Sequence, residues 1–487
     1  MIKIGKIRSL VTLLILCCFY TMSFSQTFES KLGGLVEGNI GDPLLVTTDG
    51  ITIFGTCDYS KGEIYLSAFN ENHHPLYIRK KLNFSKVKNI NFGISYSLVS
   101  QNSFGLSRKQ KNQILGDVYQ NGKSVFFKLS EKKRFFIIEF DYLNGVVISE
   151  TEKDYNKGVY DLSRTKFANV IFTDLNKEKK EVKLLIYNSF GDLIDQCTLP
   201  DYYLNNYYNL FFDDNYIFVY NFSPTNLQIF KYDLLAKKLI TKNINLQIGN
   251  GSVQYKYEFC VDNPANNALV AYWTIYEKGK DRVMFTSIEK NDLNYSAPKE
   301  IEFNLMTQYL KSNKIKINLP RIIEVNTDNS ANSFSMLLKY DYDLCDKSSA
   351  FVFSYHNNKG DEIYGSAYKF NVACENWYSF IENALLFKSD KKNIVFLNNI
   401  PENFNLKPED KNKKINTLIG QKPIALEFDE TGKMEQYYVF GTNENQDESN
   451  YVDFRRSYFD KKTNTLVATM YIDSYLGNSK PVWIKLK

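Results

Sequence analysis

Arg134–Ser149 reads RFFIIEFDYLNGVVIS. Its first half is rich in Phe and Ile, side chains that suit a pleated, half-buried surface. Asp141, Asn144 and Gly145 then supply turn chemistry, and Val146 begins a second apolar run. The stretch predicts a β-hairpin.

The same template recurs along the chain. It returns as Glu63–Lys80 (EIYLSAFNENHHPLYIRK), Val182–Gln196 (VKLLIYNSFGDLIDQ) and Leu227–Thr241 (LQIFKYDLLAKKLIT). Later copies are Val283–Pro298, Ala350–Gly365 and Pro423–Val439. Aligning the turns on Asn70, Asp141, Asn188, Asp233, Glu289, His356 and Asp429 gives spacings from 45 to 73 residues. The short spacings match one four-stranded propeller blade, typically ~40–50 residues, and the long ones leave room for loop insertions. Tyr216–Tyr220, Ala268–Tyr276, Ser335–Tyr340 and Asn393–Leu397 supply further strands between the hairpins.

Helical signals are confined to Leu305–Ser312 and Trp377–Phe387. Strands do not alternate with helices, which disfavours a doubly wound α/β fold. Tandem sandwiches should be joined by Pro-, Gly- or Ser-rich linkers, and only the Lys/Asn/Asp-rich stretch Asn403–Thr417 resembles one. The expectation is an all-β chain: a single β-propeller of about seven four-stranded blades, six to eight allowed. A propeller must close its first blade on its last. The final strand, Pro481–Lys487 (PVWIKLK), is placed to complete a sheet.

The N-terminus reads as a targeting segment. Lys3, Lys6 and Arg8 precede an apolar run from Leu10 to about Phe19. Ser23 and Ser25 are small residues suited to a cut before Gln26. Met1–Ser25 is therefore expected to be a signal peptide and Gln26–Lys487 the propeller. The apolar run is short for a membrane span, which needs ~20 residues. Leu16 before Cys17, and Cys17 before Cys18, fit a lipid anchor poorly. The expected destination is the periplasm, the outer surface or the medium, with no transmembrane segment in the mature chain.

The whole chain has 487 residues and a net charge of +5, which falls to +2 without the first 25 residues. Near-neutral charge argues against nucleic acid as a partner. Hydrophobic residues make up 44% of the chain, enough for a real core.

A resemblance follows from these features. The export signal ending in Ser-Gln, the Lys/Asn/Ile/Tyr/Phe-rich composition and the degenerate hairpins resemble secreted proteins of Bacteroidota. Asn393–Leu406 (NIVFLNNIPENFNL), Lys422–Phe440 and Thr465–Ile472 are similar to the terminal blade of propeller-like proteins from that group, in which an Asp-x-x-Gly turn follows. Here that turn is Asp429, Glu430, Thr431 and Gly432. The resemblance is best over the last ~100 residues and covers the rest only by pattern. It implies a fold and carries over no activity or catalytic residue.

Catalytic signatures are sparse. The only histidines are His73, His74 and His356, each in an expected turn and read as solvated. The sequence contains no HExxH, no G-x-S-x-G elbow and no phosphate-binding glycine loop. Carboxylates are the catalytic class that composition leaves open, because glycosidases need only a pair of them. Asp213, Asp214, Asp341, Asp343, Asp346 and Glu375 fall near expected strand ends. Asp341, Asp343 and Asp346 (DYDLCD) also have the look of a calcium loop, although the glycine and the twelfth-position Glu of an EF-hand are missing. A solvated turn is the competing reading.

Tyr202, Tyr203, Asn205, Asn206, Tyr207 and Tyr208 (in DYYLNNYYN) form a candidate glycan-contact cluster. Tyrosine rings stack on sugar faces and amides bond to hydroxyls. Packing between blades is the competing role for the same rings. Cys345 and Cys374 are spaced for a possible disulfide, with buried free thiols as the alternative. No cofactor is expected. The functional expectation is an exported, monomeric, non-enzymatic binding or scaffold propeller that recognises a protein or glycan partner. The alternative is a polysaccharide-active enzyme, a glycosidase or lyase, using carboxylates in the central funnel.

Overall fold

The computed structural model describes residues 27–487 except 59–60, 88–113, 132–133, 155–158, 165–169, 177–180, 188–191, 200–208, 214, 224, 247–251, 264–265, 278–279, 305–306, 309–319, 328–332, 341–349, 370–383, 390–391, 400–420, 441–449 and 473–476. The expected signal peptide lies outside these residues.

The described strands form eight antiparallel sheets that follow one another along the chain. Blade 1 holds Asp42–Val46, Thr52–Asp58, Glu63–Phe69 and Pro75–Lys81. Blade 2 holds Ile114–Asn121, Ser124–Glu131, Arg134–Asp141 and Val146–Asp154. Blade 3 holds Val159–Arg164, Val170–Asn176, Glu181–Tyr187 and Leu193–Leu199, and blade 4 holds Asn209–Asp213, Tyr216–Phe222, Asn226–Asp233 and Lys238–Asn245. Blade 5 holds Ser252–Asn263, Ala268–Glu277, Lys280–Glu289 and the two-residue Lys299–Glu300. Blade 6 holds Pro320–Thr327, Ser333–Tyr340, Ala350–Asn357 and Glu362–Lys369. Blade 7 holds Leu385–Lys388, Asn393–Asn399, Lys422–Phe428 and Met434–Tyr438.

Blade 8 is built differently. Thr465–Ile472 pairs on one side with two short inner strands, Asn450–Val452 and Tyr458–Asp460, separated by a 3-10 turn at Phe454–Arg456. On its other side it pairs with Ser479–Leu486. The outer strand comes from the opposite end of the chain: Phe28–Leu32 pairs with Ser479–Leu486, Phe28 opposite Leu486 and Leu32 opposite Val482. The ring is closed by strand exchange between the two termini. The described strands make up a β-propeller of eight blades.

Six of the seven expected hairpins are the third-and-outer strand pairs of blades 1 to 4, 6 and 7. The Val283–Pro298 hairpin is displaced, because the outer strand of blade 5 starts after Pro298 and only an Ile288–Tyr295 bridge marks the expected pairing. Trp377–Phe387 is not helical at its described end, where Leu385–Lys388 is a strand. Most of Leu305–Ser312 lies outside the described residues. The elements of the C-terminal resemblance are split between two blades: Asn393–Asn399 and Lys422–Phe428 belong to blade 7 and Thr465–Ile472 to blade 8. No helix among the described residues is long and apolar enough to cross a membrane.

Alternation along each strand sends side chains into the two flanking interfaces. Ile53, Phe54 and Phe69 of blade 1 pack with Phe136, Ile138 and Phe140 of blade 2, and the same cluster takes in Val467 and Trp483 of blade 8. Separate apolar clusters join blades 3 and 4, 4 and 5, 5 and 6, 6 and 7, and 7 and 8. Among the described residues no such cluster joins blades 2 and 3. Their inner strands lie against each other.

Candidate functional site

The blade 2 face turned towards blade 3 is set by the register of blade 2. Tyr119 is opposite Phe126, Phe126 opposite Glu139, and Glu139 opposite Ser149. One residue from each strand therefore forms a row across the sheet. Phe136, Ile138 and Phe140 turn towards blade 1, so Glu139, which alternates with them, turns the other way. The row runs from apolar to polar. Tyr119 is buried and its ring stacks on Phe126, with centroids 5.3 Å apart and planes 13° apart. The Ser149 hydroxyl donates to Glu139 Oε2 at 2.9 Å.

Phe126, Glu139 and Ser149 line a depression of about 450 Å³. Ile137 and Thr151, which are opposite one another in the next row, extend the wall. Asn121 closes the inner end, and Asp192, just before the outer strand of blade 3, stands on the far side. The cleft therefore combines one aromatic face, two carboxylates, two hydroxyls and an amide. Leu193 and Ile194 continue blade 3 outwards with 51% and 48% of their surfaces exposed.

A second group of polar residues sits at the closing seam. Asp42 opens the inner strand of blade 1; Asp453 precedes, and Arg456 ends, the 3-10 turn that interrupts the inner strand of blade 8. Arg456 Nη1 is 3.6 Å from Asp42 Oδ2, and its Nε is 3.3 Å from Asp453 Oδ2. The Tyr471 hydroxyl donates to Asp42 Oδ1 at 3.4 Å. Burial pushes the Asp42 carboxyl up to about 7, Asp453 adds to the rise, and Arg456 and Tyr471 oppose it. Gly41 lets the chain entering this strand pass against the second strand of blade 1: a Cβ there would lie 1.8 Å from the Gly55 carbonyl oxygen.

The termini are also held by a buried acid. The Thr27 amide and hydroxyl donate to Glu427 Oε1 at 2.9 and 2.6 Å, and Lys392 Nζ lies 2.8 Å from Glu427 Oε2. Glu427 is on the third strand of blade 7, so the start of the closing strand is fixed to the neighbouring blade.

The histidines correct the solvated-turn expectation in two cases. His356 lies within a blade 6 strand and is fully buried, stacked on Phe334 at 5.0 Å, with Nε2 2.8 Å from Ser354 Oγ. Desolvation lowers its pKa to about 3. His73 is in the blade 1 turn but half-buried, stacked on Trp483 at 4.1 Å. Desolvation, and then the positive charges of Lys31 and His74, lower its pKa to about 4. His74 is exposed as expected.

Tyr202, Tyr203, Asn205, Asn206, Tyr207 and Tyr208 lie outside the described residues. So do Asp214, Asp341, Asp343, Asp346, Cys345, Cys374 and Glu375. Asp213 ends the inner strand of blade 4. The sequence reading missed Phe126, Glu139, Ser149 and Asp42. One signal was present: Glu139 is the lone charge between Phe135 and Phe140.

No family model and no curated protein matches the chain. Solved propeller structures do. The Dos1 propeller is 10% identical with a TM-score of 0.46, covering 93% of this chain and 94% of that one. The WD40 domain of SCAP from fission yeast is 7% identical with a TM-score of 0.41, covering 95% and 99%. The β-propeller domain of the Trilobed protease from Pyrococcus furiosus, described as having an open velcro topology, is 10% identical with a TM-score of 0.37, covering 77% and 94%. These identities speak to fold alone, and the propeller assignment rests on the eight sheets.

Proposed function

We propose that the chain is an exported, non-enzymatic binding propeller and that the cleft between blades 2 and 3 takes a glycan. The observation that carries this reading is the row Tyr119–Phe126–Glu139–Ser149. It places an aromatic face beside hydrogen-bonding groups on a rigid sheet, and a sugar ring offers the matching apolar face and hydroxyls. Pockets with an apolar base and a few convergent polar groups are the usual form of a small-ligand site. Export rests on the N-terminal sequence pattern, and a rigid sheet suits a site that must hold its geometry outside the cell.

The test is binding of Gln26–Lys487 to an array of bacterial and host polysaccharides, with hydrolysis read in the same wells. Binding without turnover, weakened about tenfold by Phe126→Ala through loss of the buried ring surface, supports the reading. A protein that binds no glycan, or whose binding ignores Phe126, overturns it and leaves a protein partner as the better hypothesis.

The enzymatic reading is favoured by one observation, the Asp42 carboxyl pushed up to about 7 beside Asp453 at the closing seam. Such a pair is the kind of acid and base that sugar hydrolysis uses. Release of reducing ends, abolished by Asp42→Asn, would establish it.

A further inference from the structure

We propose that the ligand of the blade 2–3 cleft carries a free ammonium group, as in a glycan of unacetylated amino sugars. This rests on the glycan reading above and specifies it. Phe126 and Glu139 are direct cross-strand neighbours, which puts their Cβ atoms about 5 Å apart. An aromatic face and a carboxylate at that separation are the two groups that together hold an ammonium: the ring attracts it through its quadrupole and the carboxylate through charge.

The local bonding supports the same assignment. Ser149 bonds to Oε2 of Glu139, and Oε1 has no partner among the described residues. The hydroxyl thereby fixes the carboxylate's orientation and leaves one oxygen for the ligand. Asp192 lines the same cleft from the blade 3 side. No Lys or Arg is among the described residues that line it. A uronic acid would set its carboxylate against that of Glu139, and a neutral sugar would offer Glu139 no charge-assisted bond.

The experiment compares three ligand sets on Gln26–Lys487: oligomers of glucosamine, the same oligomers N-acetylated, and oligomers of galacturonic acid. Binding is read by calorimetry at two salt concentrations, for the wild type, Glu139→Gln and Phe126→Ala. Melting curves establish that each variant is folded. The expected result is that the wild type prefers the free amine over the N-acetyl form by about tenfold or more, the usual scale for a hydrogen bond to a charged group. Added salt should weaken amine binding. Glu139→Gln should remove the preference, and Phe126→Ala should weaken both forms.

Equal affinity for the amine and N-acetyl forms would overturn the ammonium assignment and leave the glycan reading standing. So would tighter binding of the uronic acid. Failure of every ligand here, together with silence on the wider array, would overturn both. A preference that survives Glu139→Gln would place the ammonium elsewhere and refute this site.

Discussion

Replacing Asp42 by Asn tests the closing seam through its pH dependence. Asp42 is 7% exposed, and its carboxyl is raised from an ordinary 3.8 to about 7, chiefly by desolvation. The fold therefore prefers the protonated form. Its stabilising contribution is complete below the unfolded value and is lost as pH rises towards and through the folded one. A rise of about 3 units at about 1.4 kcal/mol per unit is about 4 kcal/mol in total. About 2.5 kcal/mol of that falls between pH 5 and pH 8. The carboxamide keeps the shape and the Tyr471 contact and has no proton to lose. Denaturant unfolding of both proteins should show the variant gaining on the wild type by about 2.5 kcal/mol across that interval. His73 and His356 titrate in the opposite sense, and their contribution cancels in the difference. Parallel profiles would refute the reasoning. A variant that becomes relatively weaker at pH 8 would mean that the ion pair with Arg456 outweighs desolvation.

Four further outcomes follow. Deleting Pro481–Lys487 removes most of the third strand of blade 8 and the partner of Phe28–Leu32; the melting transition should fall sharply, and an unchanged midpoint would show that strand exchange does not hold the ring. Trp483→Ala empties a site where the ring meets Phe69 at 5.7 Å and donates to Thr52 at 3.1 Å, so a loss of about 3–5 kcal/mol is expected in denaturant unfolding; a loss under about 1 kcal/mol would contradict the packing. Glu427→Ala leaves Thr27 and Lys392 without their buried acceptor, so amide exchange over residues 27–32 should accelerate more than exchange in blade 4. His356 has a depressed pKa of about 3, so its stabilising contribution is present above the ordinary value and drains away as pH falls; His356→Phe should flatten the acid limb of the midpoint-against-pH curve below about pH 6.5.

The repeating fold was legible where turn chemistry is local. Asn70 Oδ1 accepts the His74 amide, Asp141 Oδ1 the Leu143 amide, Asp233 Oδ1 the Leu235 amide and Asp429 Oδ1 the Thr431 amide. Each side chain folds its own turn, so its identity in the sequence carries the geometry. Where an expected turn was misplaced, the residue that makes it lay nearby. Asn357, not His356, accepts the Lys359 and Asp361 amides, which leaves His356 inside the strand and buried.

Counting hairpins found seven blades because the eighth has no consecutive third-and-outer pair. Its outer strand is Phe28–Leu32, more than 440 residues before its partner, and no local pattern links the two. The candidate site was hidden for the same reason on a smaller scale. Tyr119, Phe126, Glu139 and Ser149 are separated in sequence by unequal steps that have no helical or strand period. They become neighbours only when three turns set the register of four strands. A one-residue slip would send Glu139 into the apolar interface with blade 1, where Phe136 and Phe140 now pack. That core contact forces Glu139 to the blade 3 side. The core of one interface thus determines the chemistry presented at the next, and the same hydrophobic alternation that made the strand legible also turns the one charge between Phe135 and Phe140 towards blade 3.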